Sequence, residues 1–434
     1  MTSNLITKPQ LNAPTVEKLD NGLTVIVEQM PIEAINLNVW LNVGSTRETD
    51  EINGMAHFLE HIVFKGTPSL KMGEFEHLIE ERGAVTNAAT SQDYTHYYIT
   101  TAPKDFAELA PLQLDVALNP SIEDEAFERE KLVVLEEIRR SEDNPSKRTF
   151  YRSMETCFET LPYRRPVLGP ASVIANMRSQ QMRDFHASWY QPQSMTVVAV
   201  GNLPETQLID IIAKAASETK ADTNIVETNY RQERQQNSRS LAAEPAFKEI
   251  VRREYTDENL QQARLVMMWR VPGMMELEAT YALDVLSAIL GQGKVSRLFR
   301  DLREERGLVS QIGVSNMTQT YQGVFYISAR LPAANISAVE TAVAEHLQTI
   351  CTAGVSEPEI ARIRTQVANR FVFASERPSD RANLYGYYYS QLQSLTPALN
   401  YPDRVRTVTA EDLQAAAQKY LDPHAYGVVV MKPA

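Results

Sequence analysis

A short run near the start of the chain carries residue types that can bind a metal ion. Residues 57–61 read His-Phe-Leu-Glu-His, within a stretch whose hydrophobic spacing predicts a helix. Positions i, i+3 and i+4 of a helix share one face, so His57, Glu60 and His61 would project together. Two imidazoles at this spacing can chelate zinc, and a carboxylate beside them can activate the water in the remaining zinc position. The run predicts a hydrolytic zinc site, although by itself it also fits two histidines on a helix surface.

A third zinc ligand must come from elsewhere in the chain, because a catalytic zinc site usually has three protein ligands and one open position. Glu137 is the candidate, and the adjacent Glu136 is the alternative. Their side chains point about 100° apart around a helix, so only one of them can face the histidines. Glu130 lies about two helical turns before Glu137 on the same face, where its carboxylate could accept a hydrogen bond from a ligand imidazole.

The elements that must position these residues show alternating strand and helix patterns. An Asn21-Gly22 turn predicts a hairpin. Further strands are predicted at about 35–43, 85–89, 94–101 and 195–200. Helices are predicted at about 44–66, 73–82, 104–118, 123–142 and 204–218. This order predicts an α+β fold, in which a mainly antiparallel sheet has helices packed on one side.

The second half of the chain repeats this order. Trp40 and Trp269 stand in similar strand patterns, and so do Tyr98 and Tyr326, at nearly the same separation along the chain. Two matching markers at one offset predict two homologous domains. We expect a zinc-binding catalytic domain at 1–219, a polar linker at 220–248 and a homologous domain without the metal at 249–434.

The charge balance argues against nucleic acids and anionic membranes as partners. The 434 residues contain 43 Lys and Arg against 55 Asp and Glu, which gives a net charge of -12. Nucleic-acid binding depends on a basic surface, which this balance does not favour. The acidic total instead favours basic or neutral peptides as substrates, through electrostatic steering.

The chain carries few signs of export or membrane insertion. It has two cysteines, and its first arginine is Arg47. The first 30 residues contain no apolar run of the kind that a secretory signal needs, and no stretch approaches the roughly 18 apolar residues of a membrane span. These features predict a cytoplasmic protein of the bacterial type. A chain in an organelle, after removal of a presequence, fits them as well.

The run 54–67, which contains the two histidines, closely resembles a known family signature. It is similar to the processing-peptidase branch of the inverzincin metallopeptidases, the family of pitrilysin, insulin-degrading enzyme and the mitochondrial processing peptidase. The resemblance extends over essentially the whole chain. It implies two homologous α+β roll domains that enclose a peptide-binding chamber, and one zinc ion per chain. It also implies these roles: zinc ligands His57, His61 and Glu137, general base Glu60, and an acid behind the ligands, Glu130.

The resemblance also implies residues that contact the substrate. The segment 83–90 is similar to the family's edge strand, to which an extended substrate adds as a further strand, with Asn87 and Ala88 lining the cleft beside the zinc. In the second half, Arg303 matches an arginine that contacts the substrate and the oxyanion. Ser310 stands where the family has a tyrosine.

An intact zinc motif combined with a missing tyrosine resembles the metal-binding subunit of a two-chain enzyme. The resemblance therefore implies a homologous partner subunit that carries both the arginine and the tyrosine, with a homodimer as the alternative. The function expected is a zinc endopeptidase that cleaves extended or unfolded peptides through a zinc-bound water activated by Glu60. The alternative is a non-catalytic core or assembly subunit, similar to those of the respiratory cytochrome complex, although such subunits lose zinc-site residues that this chain keeps.

Overall fold

Two β-sheets organise the structure, one in each half of the chain. The computed structural model describes residues 13–218 and 241–434. Most of the predicted linker, from 220 to 240, lies outside the described residues, and so does the stretch 1–12. Within the described part, no helix is long and apolar enough to cross a membrane.

The first sheet has six strands. They are β1 (Thr15–Lys18), β2 (Thr24–Gln29), β3 (Ile35–Leu41), β4 (Val85–Thr90), β5 (Thr95–Thr101) and β6 (Met195–Gly201). The order across the sheet is β1-β2-β6-β3-β5-β4, so β4 is an edge strand. All pairs are antiparallel except β2 with β6. The predicted hairpin is confirmed, and Gly22 adopts a φ of 88°, which favours glycine at the turn.

The helices of the first half carry or surround the predicted metal motif. They are α1 (Met55–Ile62), α2 (Glu74–Glu81), α3 (Phe106–Leu118), α4 (Asp124–Asp143), α5 (Pro145–Cys157), α6 (Ala171–Asn176), α7 (Ser179–Trp189) and α8 (Glu205–Glu218). The predicted helix at 44–66 is shorter than expected, because residues 45–47 and 50–52 form two separate 3-10 turns before α1 begins.

The second sheet repeats the topology of the first. Its strands are β7 (Val251–Asp257), β8 (Ala263–Pro272), β9 (Gln311–Met317), β10 (Gln322–Leu331) and β11 (Gly427–Pro433). The order β7-β11-β8-β10-β9 corresponds to β2-β6-β3-β5-β4, and the one parallel pair, β7 with β11, is at the equivalent place. Trp269 on β8 and Tyr326 on β10 thus occupy the strands that match those of Trp40 and Tyr98. The predicted α+β class and the internal repeat are confirmed.

The helices of the second half follow the same plan. They are α9 (Leu277–Gly291), α10 (Ile336–Ala353), α11 (Glu357–Phe373), α12 (Pro378–Leu392), α13 (Thr396–Thr407) and α14 (Ala410–Tyr420). A single π-helical stretch, Phe299–Glu305, precedes β9. By position in the repeat, α9 corresponds to α1, which carries the His-Phe-Leu-Glu-His run.

The central strands of each sheet are covered on both faces, and the second cover comes from the other half of the chain. All seven residues of β3 are buried, as expected for a strand with helices on both sides. One face packs on helices of the same half, and the other face packs against α12 from the second half. In return, α5 from the first half packs against β8 and β11 of the second sheet. The prediction of helices on one side of the sheet therefore holds for each half taken separately. In the folded chain, each sheet has helices on both sides.

The contact of α12 with the first sheet is close and partly polar. Gly386 allows α12 to approach, since a Cβ atom there would lie 2.0 Å from the indole nitrogen of Trp40. Buried Glu28 on β2 accepts hydrogen bonds from Arg381 and, at 2.8 Å, from the hydroxyl of Tyr385. Since a buried carboxylate must be paired to be tolerated, these contacts fix the position of α12 on the sheet.

Candidate metal centre

The residue that immediately precedes helix α1 is one that only glycine fits. Gly54 has a φ of 97°, in the left-handed region. A Cβ atom at this position would also lie 2.5 Å from the carbonyl oxygen of Leu168. Because both the conformation and the space exclude a side chain, the start of the metal-motif helix is fixed in place against the segment that contains Leu168.

The free backbone N–H groups at the start of α1 are bound by a distant carboxylate. Glu48 is 5% exposed. Its Oε1 accepts a hydrogen bond from Ala56 N at 2.8 Å, and its Oε2 accepts from Gly54 N at 2.8 Å and from Asn53 Nδ2 at 2.8 Å. This carboxylate also interacts favourably with the positive end of the helix dipole. Glu48 therefore anchors α1 immediately before His57.

Glu48→Ala should lower the free energy of unfolding by about 3 kcal/mol, because it leaves the buried N–H groups of Gly54 and Ala56 without their acceptor and removes one of the two hydrogen bonds that Asn53 Nδ2 donates. Chemical denaturation of the metal-free chain measures this loss. The matched control is Glu51→Ala, which removes an exposed acid from the same loop and should change the stability little. Equal effects of the two substitutions would contradict the anchoring role of Glu48.

The structure brings His57, His61 and Glu137 together. The Nε2 atoms of His57 and His61 each lie 3.5 Å from Oε2 of Glu137. Two donors bound at about 2.0–2.1 Å to a tetrahedral zinc ion are about 3.4 Å apart, so these separations suit a shared metal. Among residues 13–218 and 241–434, this is the one group of three or more His, Cys, Asp or Glu side chains that could hold a metal ion. The chemistry and spacing of the donors fit zinc.

Glu136, the alternative third ligand, faces away from this group. Its carboxylate pairs with Arg139 at 2.8 Å and with Arg140 at 3.0 Å on the surface of α4. These contacts hold the pKa of Glu136 at about 2. The geometry therefore favours Glu137 over Glu136, as the family spacing implies.

Glu130 holds the second histidine from behind. Nδ1 of His61 donates to Oε1 of Glu130 at 2.9 Å, and Lys65 Nζ contacts the other oxygen of Glu130 at 2.9 Å. With Nδ1 carrying the proton, Nε2 of His61 is directed at Glu137 as a potential metal ligand. The sequence predicted the role of Glu130 but assigned no role to Lys65. Lys65 lies four residues after His61, about one helical turn further along, and so projects in a similar direction.

The two histidines differ in their affinity for protons. Burial lowers the pKa of His57 to about 4, and the nearby His61 adds to this shift. Burial would also lower the pKa of His61, but its hydrogen bonds to Glu130 and Glu137 outweigh burial and raise this pKa to about 9. In the metal-free chain both ring nitrogens of His61 therefore carry a proton at neutral pH. A metal ion that binds Nε2 must displace the proton on that nitrogen.

Glu60 lies beside the group and is held by the edge strand. Oε2 of Glu60 accepts a hydrogen bond from the hydroxyl of Thr90 at 2.5 Å. Burial raises the pKa of Glu60 above the ordinary glutamate value, which brings it closer to the range that suits a general base. Thr90 was not predicted as a site residue. Thr90 is the last residue of β4, and the pairing of β4 with β5 in the sheet brings it close to α1.

Asn87 and Ala88 lie on the edge strand, next to this arrangement. Both line a cavity of about 290 Å³ that also includes Glu60, His61 and Glu130. In the sheet, β4 pairs with β5 alone, so its other edge can accept a further strand. Their role in contacting a substrate stays a prediction, and their location agrees with it.

Arg303 and Ser310 lie in the second half, and their contacts are made there. Arg303 is 4.7 Å from the ring centre of Phe299, with its guanidinium over the ring. The hydroxyl of Ser310 donates to Gln262 Oε1 at 2.7 Å. Within the described residues, no hydrogen bond, ion pair or ring contact joins either side chain to the metal group. The role of Arg303 in substrate binding stays a prediction.

The second half has no counterpart of the metal group within its described residues. At the place of α1, helix α9 carries Asp284, which is half-buried and accepts hydrogen bonds from Asn316 Nδ2 at 2.8 Å and from the hydroxyl of Tyr401 at 3.1 Å. The remaining histidines of the chain lie outside the metal group. For example, His77 pairs with Glu81 on the exposed face of α2.

The two halves of the chain match two models of one peptidase family. Residues 24–171 match the model described as Insulinase (Peptidase family M16). Residues 176–367 match the model described as Peptidase M16 inactive domain. The chain belongs to peptidase family M16. The metal group lies wholly within the first M16 match, and α9, which lacks histidine, lies within the second.

Similar proteins match the chain over nearly its full length. The zinc protease PqqE of Helicobacter pylori is 28% identical over 424 residues, which are 96% of this chain and 92% of that protein. The crystal structure of a protease from Helicobacter pylori has 27% identity and a TM-score of 0.88, and the match covers 98% of this chain and 100% of that one. The fold is also that of the periplasmic protease PqqL from Escherichia coli, at 19% identity and a TM-score of 0.79, where 98% of this chain matches 48% of PqqL.

Proposed function

We propose that the chain is a zinc-dependent endopeptidase that hydrolyses extended or unfolded peptides. The observation that carries this proposal is the geometry of His57, His61 and Glu137, in which both 3.5 Å separations suit one tetrahedral metal ion. Glu60 lies beside these three side chains, as hydrolysis requires. The names of the M16 relatives as zinc proteases support the same conclusion.

In this proposal His57, His61 and Glu137 hold one zinc ion per chain. When bound, zinc polarises the scissile carbonyl and lowers the pKa of a water molecule. Glu130 keeps the proton of His61 on Nδ1, so that Nε2 remains free for the metal. Lys65 balances the charge of Glu130 and keeps its carboxylate in place.

Glu60 moves the proton during hydrolysis. It accepts a proton from the attacking water as the water oxygen bonds to the carbonyl carbon, and it then donates this proton to the amide nitrogen as the C–N bond breaks. The hydrogen bond from Thr90 fixes the orientation of the Glu60 carboxylate. Thr90 is also the last residue of the edge strand. Its hydrogen bond therefore connects the general base directly to the strand that would bind the substrate.

The substrate would add to the sheet as a further strand along β4. Such binding reads the peptide backbone, which explains a preference for extended or unfolded chains. Asn87 and Ala88 would contact it directly. The cavity beside them measures about 290 Å³.

The test of the proposal is metal-dependent hydrolysis of an unstructured peptide. We expect the zinc-loaded chain, assayed alone and with a homologous partner, to cleave internal bonds, which mass spectrometry identifies from the new termini. A chelator should abolish cleavage, and one equivalent of zinc should restore it. If the zinc-loaded chain cleaves no peptide in either assay, the alternative of a non-catalytic assembly subunit replaces the proposal.

We further propose that full activity needs a homologous partner subunit that carries both an arginine and a tyrosine. In this chain the tyrosine position holds Ser310, whose hydroxyl is engaged by Gln262 and is several ångströms shorter in reach than a phenol. Loss of one oxyanion donor typically costs about 10²-fold in kcat. A homodimer that tolerates this loss is the alternative.

The chain alone should therefore hydrolyse peptides about a hundredfold more slowly than its mixture with the partner. Turnover is measured for the purified chain, for the mixture, and for the chain with Ser310→Tyr. Partial recovery in the variant would support the geometric reason. Equal rates for the chain alone and for the mixture would contradict the need for a partner.

A further inference from the structure

A second cavity lies between α5 and the second sheet, and its charged lining is entirely positive. It measures about 170 Å³. Arg264 from β8 and Arg330 from β10 line it, together with the polar side chains of Ser146, Gln311 and Ser328. Among the described residues, no Asp or Glu lines this cavity. The whole chain has a net charge of -12, so two arginines in one cavity without an acid call for an explanation.

The two arginines are directly opposite each other on neighbouring strands. Arg264 of β8 pairs in register with Arg330 of β10. Like charges at opposed positions destabilise a sheet, because their Cβ atoms are only about 4.5–5.5 Å apart. Burial lowers the pKa of Arg264, and the charge of Arg330 lowers it further. Such a cost is expected at a place that binds an anion, since the anion replaces the repulsion by attraction to both cations.

Neither arginine is neutralised by the part of the chain that the structure describes. Nη1 of Arg264 donates to the uncharged Oγ of Ser146 at 2.9 Å, and its Nε is buried without a hydrogen-bond partner there. The exposed guanidinium of Arg330 has no hydrogen bond or ion pair within residues 13–218 and 241–434. The acid that partly offsets the charge of Arg264 is Asp257, but Arg148 binds its carboxylate. The cavity therefore keeps two cations for an external ligand.

The chemistry and size of the cavity suit a carboxylate. Guanidinium groups present several N–H donors in a plane and match the two oxygens of a carboxylate. Ser146 is the second residue of α5, so the positive end of that helix dipole adds to the attraction. A cavity of about 150 Å³ holds a molecule as large as benzene, and a volume of about 170 Å³ thus accepts a carboxylate with a short alkyl stem.

The cavity is within reach of a peptide that passes the metal group. Helix α4, which carries Glu137, ends at Asp143, and α5 begins at Pro145. Ser146 is at most about 20 Å from Glu137, because a helix rises about 1.5 Å per residue and consecutive Cα atoms are about 3.8 Å apart. An extended peptide spans about 3.3 Å per residue, so about six residues cover this distance.

We propose that the cavity between Arg264 and Arg330 binds a carboxylate of the peptide substrate and so holds the peptide several residues from the cleaved bond. The carboxylate accepts hydrogen bonds from both guanidinium groups, and the hydroxyl of Ser146 donates a further one. Its source is the C-terminal carboxylate of the peptide or the side chain of an Asp or Glu. This inference rests on the proposed peptidase function, and it adds a second binding site to that function.

The test is peptide binding to the zinc-loaded Glu60→Gln chain, alone and with the homologous partner, followed by fluorescence anisotropy. The probe is an unstructured peptide with a neutral label, an amidated C terminus and no Asp or Glu. Its variants restore the free C terminus or place one glutamate at each position in turn. We expect one of these carboxylates to lower Kd by about tenfold, as for a hydrogen bond between charged groups.

The gain in affinity should depend on the two arginines. Arg264→Gln and Arg330→Gln, each added to Glu60→Gln, should remove most of it. Because Arg330 is exposed, its replacement tests the cavity without disturbing the fold, which circular dichroism checks. The matched control is Arg406→Gln, which removes an arginine of α13 that pairs with Asp403 at 2.7 Å. This control should keep the full gain.

The outcomes separate the two sources of the carboxylate and separate this inference from the proposed function. A gain from the free C terminus identifies the terminal carboxylate as the ligand, and a gain from one glutamate position identifies a side chain. No gain from any carboxylate, or an equal gain after both arginines are replaced, overturns the inference. The peptidase is tested independently by cleavage with the wild type, because the anisotropy measurement requires no hydrolysis.

Discussion

Glu60→Gln should lower kcat for peptide hydrolysis by about 10²–10⁴-fold, with the zinc content unchanged. The amide has nearly the size and polarity of the carboxylate, and its oxygen can still accept the hydrogen bond from Thr90. It cannot accept a proton from water at neutral pH. Because Glu60 is outside the group of three potential ligands, we expect catalysis to fail without loss of the metal.

The control for this substitution is Glu136→Gln. It removes an acid next to Glu137 whose carboxylate is paired with Arg139 and Arg140 on the surface. Its kcat should stay close to that of the wild type. Activity of Glu60→Gln within about threefold of the wild type would remove Glu60 from the role of general base.

His61→Ala should weaken zinc binding by more than a hundredfold and abolish hydrolysis. The substitution removes one of three ligands and leaves Glu130 with only Lys65 as a partner, whereas loss of a residue behind a ligand alone costs about 10–100-fold in metal affinity. Zinc content after dialysis against a weak chelator measures the loss. Circular dichroism shows whether the variant still folds.

His77→Ala serves as the comparison, since His77 is exposed on α2 and pairs only with Glu81 among the described residues. This variant should keep one zinc ion per chain. Unchanged zinc content in His61→Ala, with the fold retained, would mean that the metal lies at another site. Loss of zinc from both variants would point to an unspecific effect of removing a histidine.

The local part of the site could be predicted from the sequence, and the reason is geometric. His57, Glu60 and His61 lie within five positions of one helix, where spacing alone determines that they share a face. Glu137 could not be predicted from spacing alone. Glu136 is adjacent to it, and the helical periodicity does not show which of the two carboxylates faces α1. The family spacing made that choice, and the separations of 3.5 Å agree with it.

Residues that support the site from a distance could not be predicted in this way. Glu48 contacts the N–H groups of Gly54 and Ala56 through a fold of the loop, so no i, i+3 capping pattern marks it. Thr90 reaches Glu60 only because β4 lies against α1. The orientation of α12 was equally hidden, since an amphipathic pattern tells which face of a helix is buried and not which sheet it is buried against.

The exchange of α5 and α12 between the two sheets has a consequence for cooperativity. Each sheet owes one of its apolar covers to the opposite half, so the loss of structure in either half uncovers buried surface in both. The sequence repeat divides the chain into two similar halves. The apolar surface that the halves bury against each other stabilises them as one unit. Either repeat by itself would therefore expose an apolar β-sheet face, and the smallest part of the molecule expected to fold by itself is the pair.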